Sequence, residues 1–224
     1  MDVMSTLSAY FKAGGPFMFI ILGTGVLILS IIVERSWVIG RASALNSRKF
    51  AKDLEAMVGQ GDLAAAVELS RKVRTPAGRV ALLALGSGVR NSETIQNNVD
   101  DAAGVVLPPL ARRLPHLTML ANVATLLGLL GTIFGLTTAF SAVNAADPSQ
   151  RSAFLAAGIS QALNTTSFGL IVAVPALVVH GILVSKLEAV VEQVDEVGLR
   201  LKTAFQRRSE AGDGDTRIAA REAA

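Results

Sequence analysis

Three uncharged, apolar runs divide the chain: Pro16 to Val33, Leu114 to Ala146, and Ser152 to Ser185. Each reaches the roughly 17–25 residues that a helix needs to cross a bilayer. After Lys186 the pattern changes. Leu187, Val190, Val191, Val194, Val197, Leu201 and Phe205 alternate with Glu188, Glu192, Asp195, Glu196, Arg200 and Lys202. That is an amphipathic helix continuing the third run into water. Between the first two runs lies polar, arginine-rich material from Arg41 to Arg113. Within it Asp62 is positioned to cap a helix starting at Leu63, and Thr75-Pro76 interrupts that helix. Ser92 can cap another, with Glu93 in its first turn, and Pro108, Pro109 and Pro115 break the approach to the second run.

The pattern predicts an all-α polytopic membrane protein with three transmembrane helices, the second and third extending into the cytoplasm. The expected order is a periplasmic amino-terminal segment (1–15), a first transmembrane helix (16–38), a cytoplasmic helical segment (39–114) and a second transmembrane helix (115–143). A periplasmic turn (144–151), a third transmembrane helix (152–185), a cytoplasmic extension (186–208) and a disordered tail (209–224) follow. The basic segment fixes the expected orientation, because arginine and lysine favour the cytoplasmic side. A cleaved signal peptide is the rival reading of the first run, since Ala42-Ser43-Ala44 resembles a cleavage site. Glu34, Arg35, Trp37 and Arg41 intervene, and the amino end lacks a basic cluster, so the helix is expected to be retained. Glu34 and Arg35 read as an interfacial pair at its end.

Composition agrees. Only 17% of the 224 residues are charged, against about 25% in soluble domains. There is no cysteine, which removes disulfides and thiolate chemistry. A single tryptophan and a single tyrosine offer no stacking platform for nucleic acid. No metal or cofactor is called for, and no nucleophile–base pair points to an enzyme.

The second run carries Gly128, Gly131 and Gly135 at helical spacing, with Thr118, Thr125 and Thr132 every seven residues. The third carries Gly158, Ala162, Thr166, Gly169, Ala173, Ala176 and His180 at three- and four-residue steps, with Asn164, Thr165, Thr166 and Ser167 as a polar band. Such small faces let helices approach closely in lipid, and they are expected to hold a homo-oligomer. Thr165 and Ser167 are expected to bond back to their own helix. For Thr132 and Thr166 packing and a functional polar lining stand equal on the residues alone. Neither run contains Asp, Glu, Lys or Arg. A chain that conducts protons through such helices needs a second protein to supply the carboxylate.

Three pieces of sequence carry a resemblance. Gly14-Gly15-Pro16 precedes an apolar helix ending in Glu34-Arg35, Leu126 to Leu136 reads LLGLLGTIFGL, and Ala157 to Ala176 reads AGISQALNTTSFGLIVAVPA. Together they resemble the MotA/TolQ/ExbB proton channel family, most closely its ExbB/TolQ branch. The resemblance implies a homopentameric stator in the bacterial inner membrane around an ExbD/TolR-like single-span partner that carries a membrane aspartate. It implies coupling of proton flow to work at the envelope, through a TonB/TolA-like or motility effector, in outer-membrane transport, envelope maintenance or gliding. Thr132 and Thr166 fall at the family's two pore-threonine positions. Gln161 stands where many members have glutamate, and Thr125 where a proline is common. The alternative is a non-conducting membrane scaffold.

Overall fold

A computed structural model describes residue 11 and residues 14–43, 47–86 and 92–222, with side chains described to residue 210. Most of the expected amino-terminal segment, 1–15, lies outside the described residues. The chain forms two compact units, one of Met1–Ser36 with Arg113–Leu183, the other of Trp37–Arg112 with Val184–Ala224. No strand occurs among the described residues.

The first unit holds the membrane helices. Helix α1 runs Pro16–Ala42, and Pro16 supplies the fixed φ and missing donor suited to a first helical position. In the second unit, α2 (Ser47–Gly59), α3 (Leu63–Lys72), α4 (Pro76–Gly86), α5 (Ser92–Val106) and the single turn α6 (Pro108–Ala111) follow. Helix α7 spans Leu114–Ala145 and α8 spans Arg151–Glu222. Three helical stretches are long and apolar enough to cross a membrane: α1, the stretch ending in α7, and α8. At 32 residues, α7 is about 48 Å long, well beyond a hydrocarbon core of about 30 Å.

In the first unit α7 buries Leu114, Leu117, Ala121, Ala124, Gly128, Gly131, Gly135 and Ala139. The alternating steps of three and four residues make one narrow seam. The remaining surface is apolar and outward-facing: Leu126 is 62% and Leu163 61% exposed. Such a surface suits lipid or neighbouring helices and is unsuited to water. Helix α1 approaches α8 at Gly25, where an added Cβ would sit 3.4 Å from Val172.

The second unit has a conventional core. Phe50, Leu54, Val58, Val80, Ile95 and Val99 pack against Val194, Val197, Leu201 and Phe205 of α8. Gly61, at φ 85°, makes the turn into α3, a left-handed conformation that glycine adopts without strain. Asp62 caps α3 by accepting a hydrogen bond from the Ala65 amide at 2.9 Å. Arg200 donates to Glu55 at 2.8 Å and to Glu196 at 3.2 Å. The Glu55 hydrogen bond, with Glu196 beside it, holds the Arg200 guanidinium above the ordinary arginine range.

The amphipathic extension continues the third transmembrane helix without a break, as expected, and the helix runs on through residues 209–222, where a disordered tail was expected. Alanine, arginine and glutamate make up half of residues 209–222 and are good helix formers. Extending a helix also needs no new nucleus, so Gly212 and Gly214 are tolerated. Residues 223 and 224 lie outside the described residues.

Candidate functional site

The site is the contact between α7 and α8, and glycine determines its spacing. A Cβ on Gly128 would lie 3.3 Å from the Thr166 Cα and 3.4 Å from the Gly169 Cα. One on Gly169 would lie 2.8 Å from the Ala124 carbonyl oxygen. One on Gly131 would lie 2.9 Å from the Thr165 Cβ. One on Gly135 would meet Ala162 and the Gly158 carbonyl, and one on Gly158 would overlap the Ala139 Cβ. Backbone therefore faces backbone over four turns. The glycine face expected to hold copies of the chain together is occupied by the chain's own hairpin. Residues 146–150 join the two helices, and a loop this short makes them antiparallel neighbours.

This spacing brings the threonines to carbonyls. The Thr166 hydroxyl donates across the contact to the Gly128 carbonyl at 3.0 Å. Helix geometry makes that same carbonyl the acceptor for the Thr132 amide, four residues on. The Thr166 hydroxyl thus shares its acceptor with the Thr132 backbone amide, not with the Thr132 hydroxyl. Thr132 is half-buried, and its hydroxyl donates to the Leu129 carbonyl of its own helix. The buried seam of α8 runs through Ala162, Thr165, Ala173 and Ala176, so Thr165 and not Thr166 stands in the small face. On α7 the threonine stripe lies one residue past the seam positions Leu117, Ala124 and Gly131. It flanks the contact, about 100° around the helix. The Thr118 hydroxyl is buried with no hydrogen-bond partner, and Thr125 donates to the Ala121 carbonyl at 3.2 Å.

Thr165 is fully buried. Its hydroxyl lies 2.8 Å from its own-helix acceptor, the Gln161 carbonyl, and 2.7 Å from the carbonyl of Gly14. A hydroxyl has one proton, so the two carbonyls share it. The expected bond back to its own helix is present, and a tether to the start of α1 is added. Gln161, one turn away, places its side-chain amide where a Cβ on Gly15 would be. Gly15 has φ 75°, which favours glycine there. Phe17 packs against Phe134 of α7 with the rings tilted at 59° and their centroids 5.4 Å apart. The sequence signal for Thr165 was its place on the 158-162-165-169 spacing.

Glu34 and Arg35 form the expected pair, with Nη2 to Oε1 at 3.2 Å. The second partner was not anticipated: Arg113, just before α7, donates to the other Glu34 oxygen. One carboxylate thus joins the end of the apolar run of α1 to the start of α7. Nothing in the sequence distinguishes Arg113 from the arginines around it.

Chemically, Thr132 and Thr166 each donate to a backbone carbonyl and keep acceptor lone pairs. A hydroxyl can donate to a carboxylate or accept from a carboxylic acid. Exchanging the carbonyl for a carboxylate trades a neutral hydrogen bond, worth roughly 0.5–1.5 kcal/mol, for a charge-assisted one of about 1.5–3 kcal/mol.

Gly169→Val should force α7 and α8 apart against the Ala124 carbonyl. The expected loss is about 1–3 kcal/mol, as for overpacking elsewhere, read as a lower unfolding midpoint in detergent. Gly181→Ala, where a Cβ meets nothing within 4 Å, should not lower it.

The MotA/TolQ/ExbB proton channel family matches residues 71–196. The "Putative biopolymer transport protein ExbB-like 1" of Synechocystis sp. is 31% identical over 199 residues, 88% of this chain and 78% of that protein. The biopolymer transport protein exbB1 of Vibrio cholerae is 40% identical over 82 residues, 35% of this chain and 36% of that protein. The Tol-Pal system protein TolQ of Haemophilus influenzae is 35% identical over 81 residues, 36% of this chain and 35% of that protein. With that family match across the hairpin and relatives named ExbB and TolQ, the chain belongs to the MotA/TolQ/ExbB proton channel family, in its ExbB/TolQ branch.

Proposed function

We propose that this chain is the channel-forming stator subunit of an inner-membrane complex that couples proton flow to work at the cell envelope. The observation that carries the proposal is the Thr166 hydroxyl donating to the Gly128 carbonyl across the α7–α8 contact, with Thr132 one turn further along α7, in two apolar runs (114–146 and 152–185) that contain no Asp, Glu, Lys or Arg. Such a site can solvate a carboxylate brought by a partner but cannot itself carry the proton. The partner that fits is a single-span protein of the ExbD/TolR type with a membrane aspartate, held within a homopentamer. The work is outer-membrane transport, envelope maintenance or gliding, through a TonB/TolA-like or motility effector.

Valine matches threonine in shape and lacks the hydroxyl. The Thr132→Val, Thr166→Val double variant should assemble and retain its partner, yet lose most proton flux in vesicles containing both proteins. A scaffold without a channel would give no flux in either form, and normal flux from the double variant would remove both threonines from the pathway.

The proposed orientation places the polar unit in the cytoplasm and the 146–150 turn in the periplasm, supported by the arginines of 41–113. Arg71→Cys should resist an impermeant thiol reagent in intact spheroplasts, and Ser149→Cys should react. Labelling at position 71 from outside would reverse the topology.

A further inference from the structure

A pocket of about 350 Å³ opens in the second unit where α1 leaves its apolar run. That volume is within the range of small-molecule sites, roughly 300–1,000 Å³. Arg41, Arg74 and Arg79 line it, and no acidic residue does. All three arginines are exposed, and none forms an ion pair among the described residues. Three cations that converge without a counter-charge repel one another and favour an anion between them.

Two further features belong to the same wall. Thr75 lines the pocket, and its hydroxyl is buried with no hydrogen-bond partner. It immediately precedes α4, where a threonine commonly caps the first turn; here the Thr75 hydroxyl makes no such bond. Its backbone carbonyl accepts from the Arg79 amide at 3.0 Å, which fixes Arg79 one turn into the helix. The positive end of the α4 dipole therefore faces the same space as the guanidinium groups.

The depth of the pocket is set by α1 itself. The Arg41 guanidinium lies over the Trp37 ring, 5.0 Å from its centroid. Trp37 is 65% exposed, as is usual for a tryptophan at a membrane interface. Arg41 is one turn, about 6 Å, further along the helix. Val105, also lining the pocket, is 69% exposed and adds an apolar lip. A basic cup with an apolar rim at interfacial depth fits an amphiphile better than a soluble ion.

We infer that Arg41, Thr75 and the α4 end carrying Arg74 and Arg79 form a binding site for the phosphate of an anionic phospholipid headgroup. Guanidinium groups donate to the phosphate oxygens, the Thr75 hydroxyl gains its acceptor, and the acyl chains lie along Trp37 and Val105. The inference requires only that α1 spans the membrane, so it stands or fails separately from the proton-channel reading.

The test is native mass spectrometry of the intact chain in detergent, titrated with phosphatidylglycerol or phosphatidylcholine, with inorganic phosphate as competitor. Phosphatidylglycerol should bind more tightly than phosphatidylcholine. The Arg74→Gln, Arg79→Gln double variant should lose at least about tenfold in that affinity, as expected when charge-assisted bonds are removed. Both side chains are exposed, so the fold should survive. Arg74→Lys with Arg79→Lys should restore the preference, and Thr75→Val should weaken it severalfold by circular-dichroism-verified protein. Unchanged phosphatidylglycerol affinity in the glutamine pair or in Thr75→Val overturns the site. Displacement of the lipid by an equal concentration of inorganic phosphate overturns the lipid assignment in favour of a soluble anion.

Discussion

The membrane unit depends on close approach of α7 and α8. Lipid tails are as apolar as leucine, so no hydrophobic gain draws two helices together there. What remains is van der Waals contact and hydrogen bonding, and both need short distances. Glycine supplies them: a Cβ at Gly128, Gly169 or Gly135 would fall against the opposite backbone. The seam of α8 records the change of solvent. It reads Ala162, Thr165, Ala173, Ala176 and then Leu183 in the first unit and Val190, Val194, Val197, Leu201, Ala204 and Phe205 in the second. One helix with one periodicity thus uses mainly small residues along its apolar run and mainly large ones along its amphipathic stretch.

The polar groups follow from that spacing. Thr166 can reach Gly128 only because neither glycine nor the facing backbone holds it away. Thr165 anchors the hairpin to Gly14, and Gln161 fills the space above Gly15. A glutamate at position 161 would bring a titratable group to that contact, and this chain has an amide with both donors and acceptors instead. In the proposed channel the proton carrier then comes wholly from the partner. The hairpin supplies hydroxyls whose present partners are carbonyls and can be exchanged.

The apolar runs were long enough to show the three membrane helices in the sequence. The Asp62 cap and the Thr75-Pro76 break were legible because their chemistry is local. The destination of the glycine face was not: periodicity shows that a face is small, and it does not show which helix covers it. The same limit hid the place of Thr165 in the seam, one residue from Thr166, where a step of three or four residues was equally compatible with the pattern. Arg113 joining Glu34 depends on residues 79 apart in sequence. The small and charged residues after 208 suit disorder as well as the end of an existing helix, so local composition does not decide where α8 stops.

If the glycine seam closes the hairpin within one chain, residues 131 and 165 must be neighbours in the same molecule. A Cβ at 131 would lie 2.9 Å from that of Thr165, and a small separation brings the pair to the roughly 3.5–4.5 Å of a disulfide. Oxidation of the Gly131→Cys, Thr165→Cys double variant in membranes should give a cross-linked monomer on non-reducing gels. Cross-linked dimers in place of that monomer would mean that the seam joins neighbouring chains, and would contradict the account.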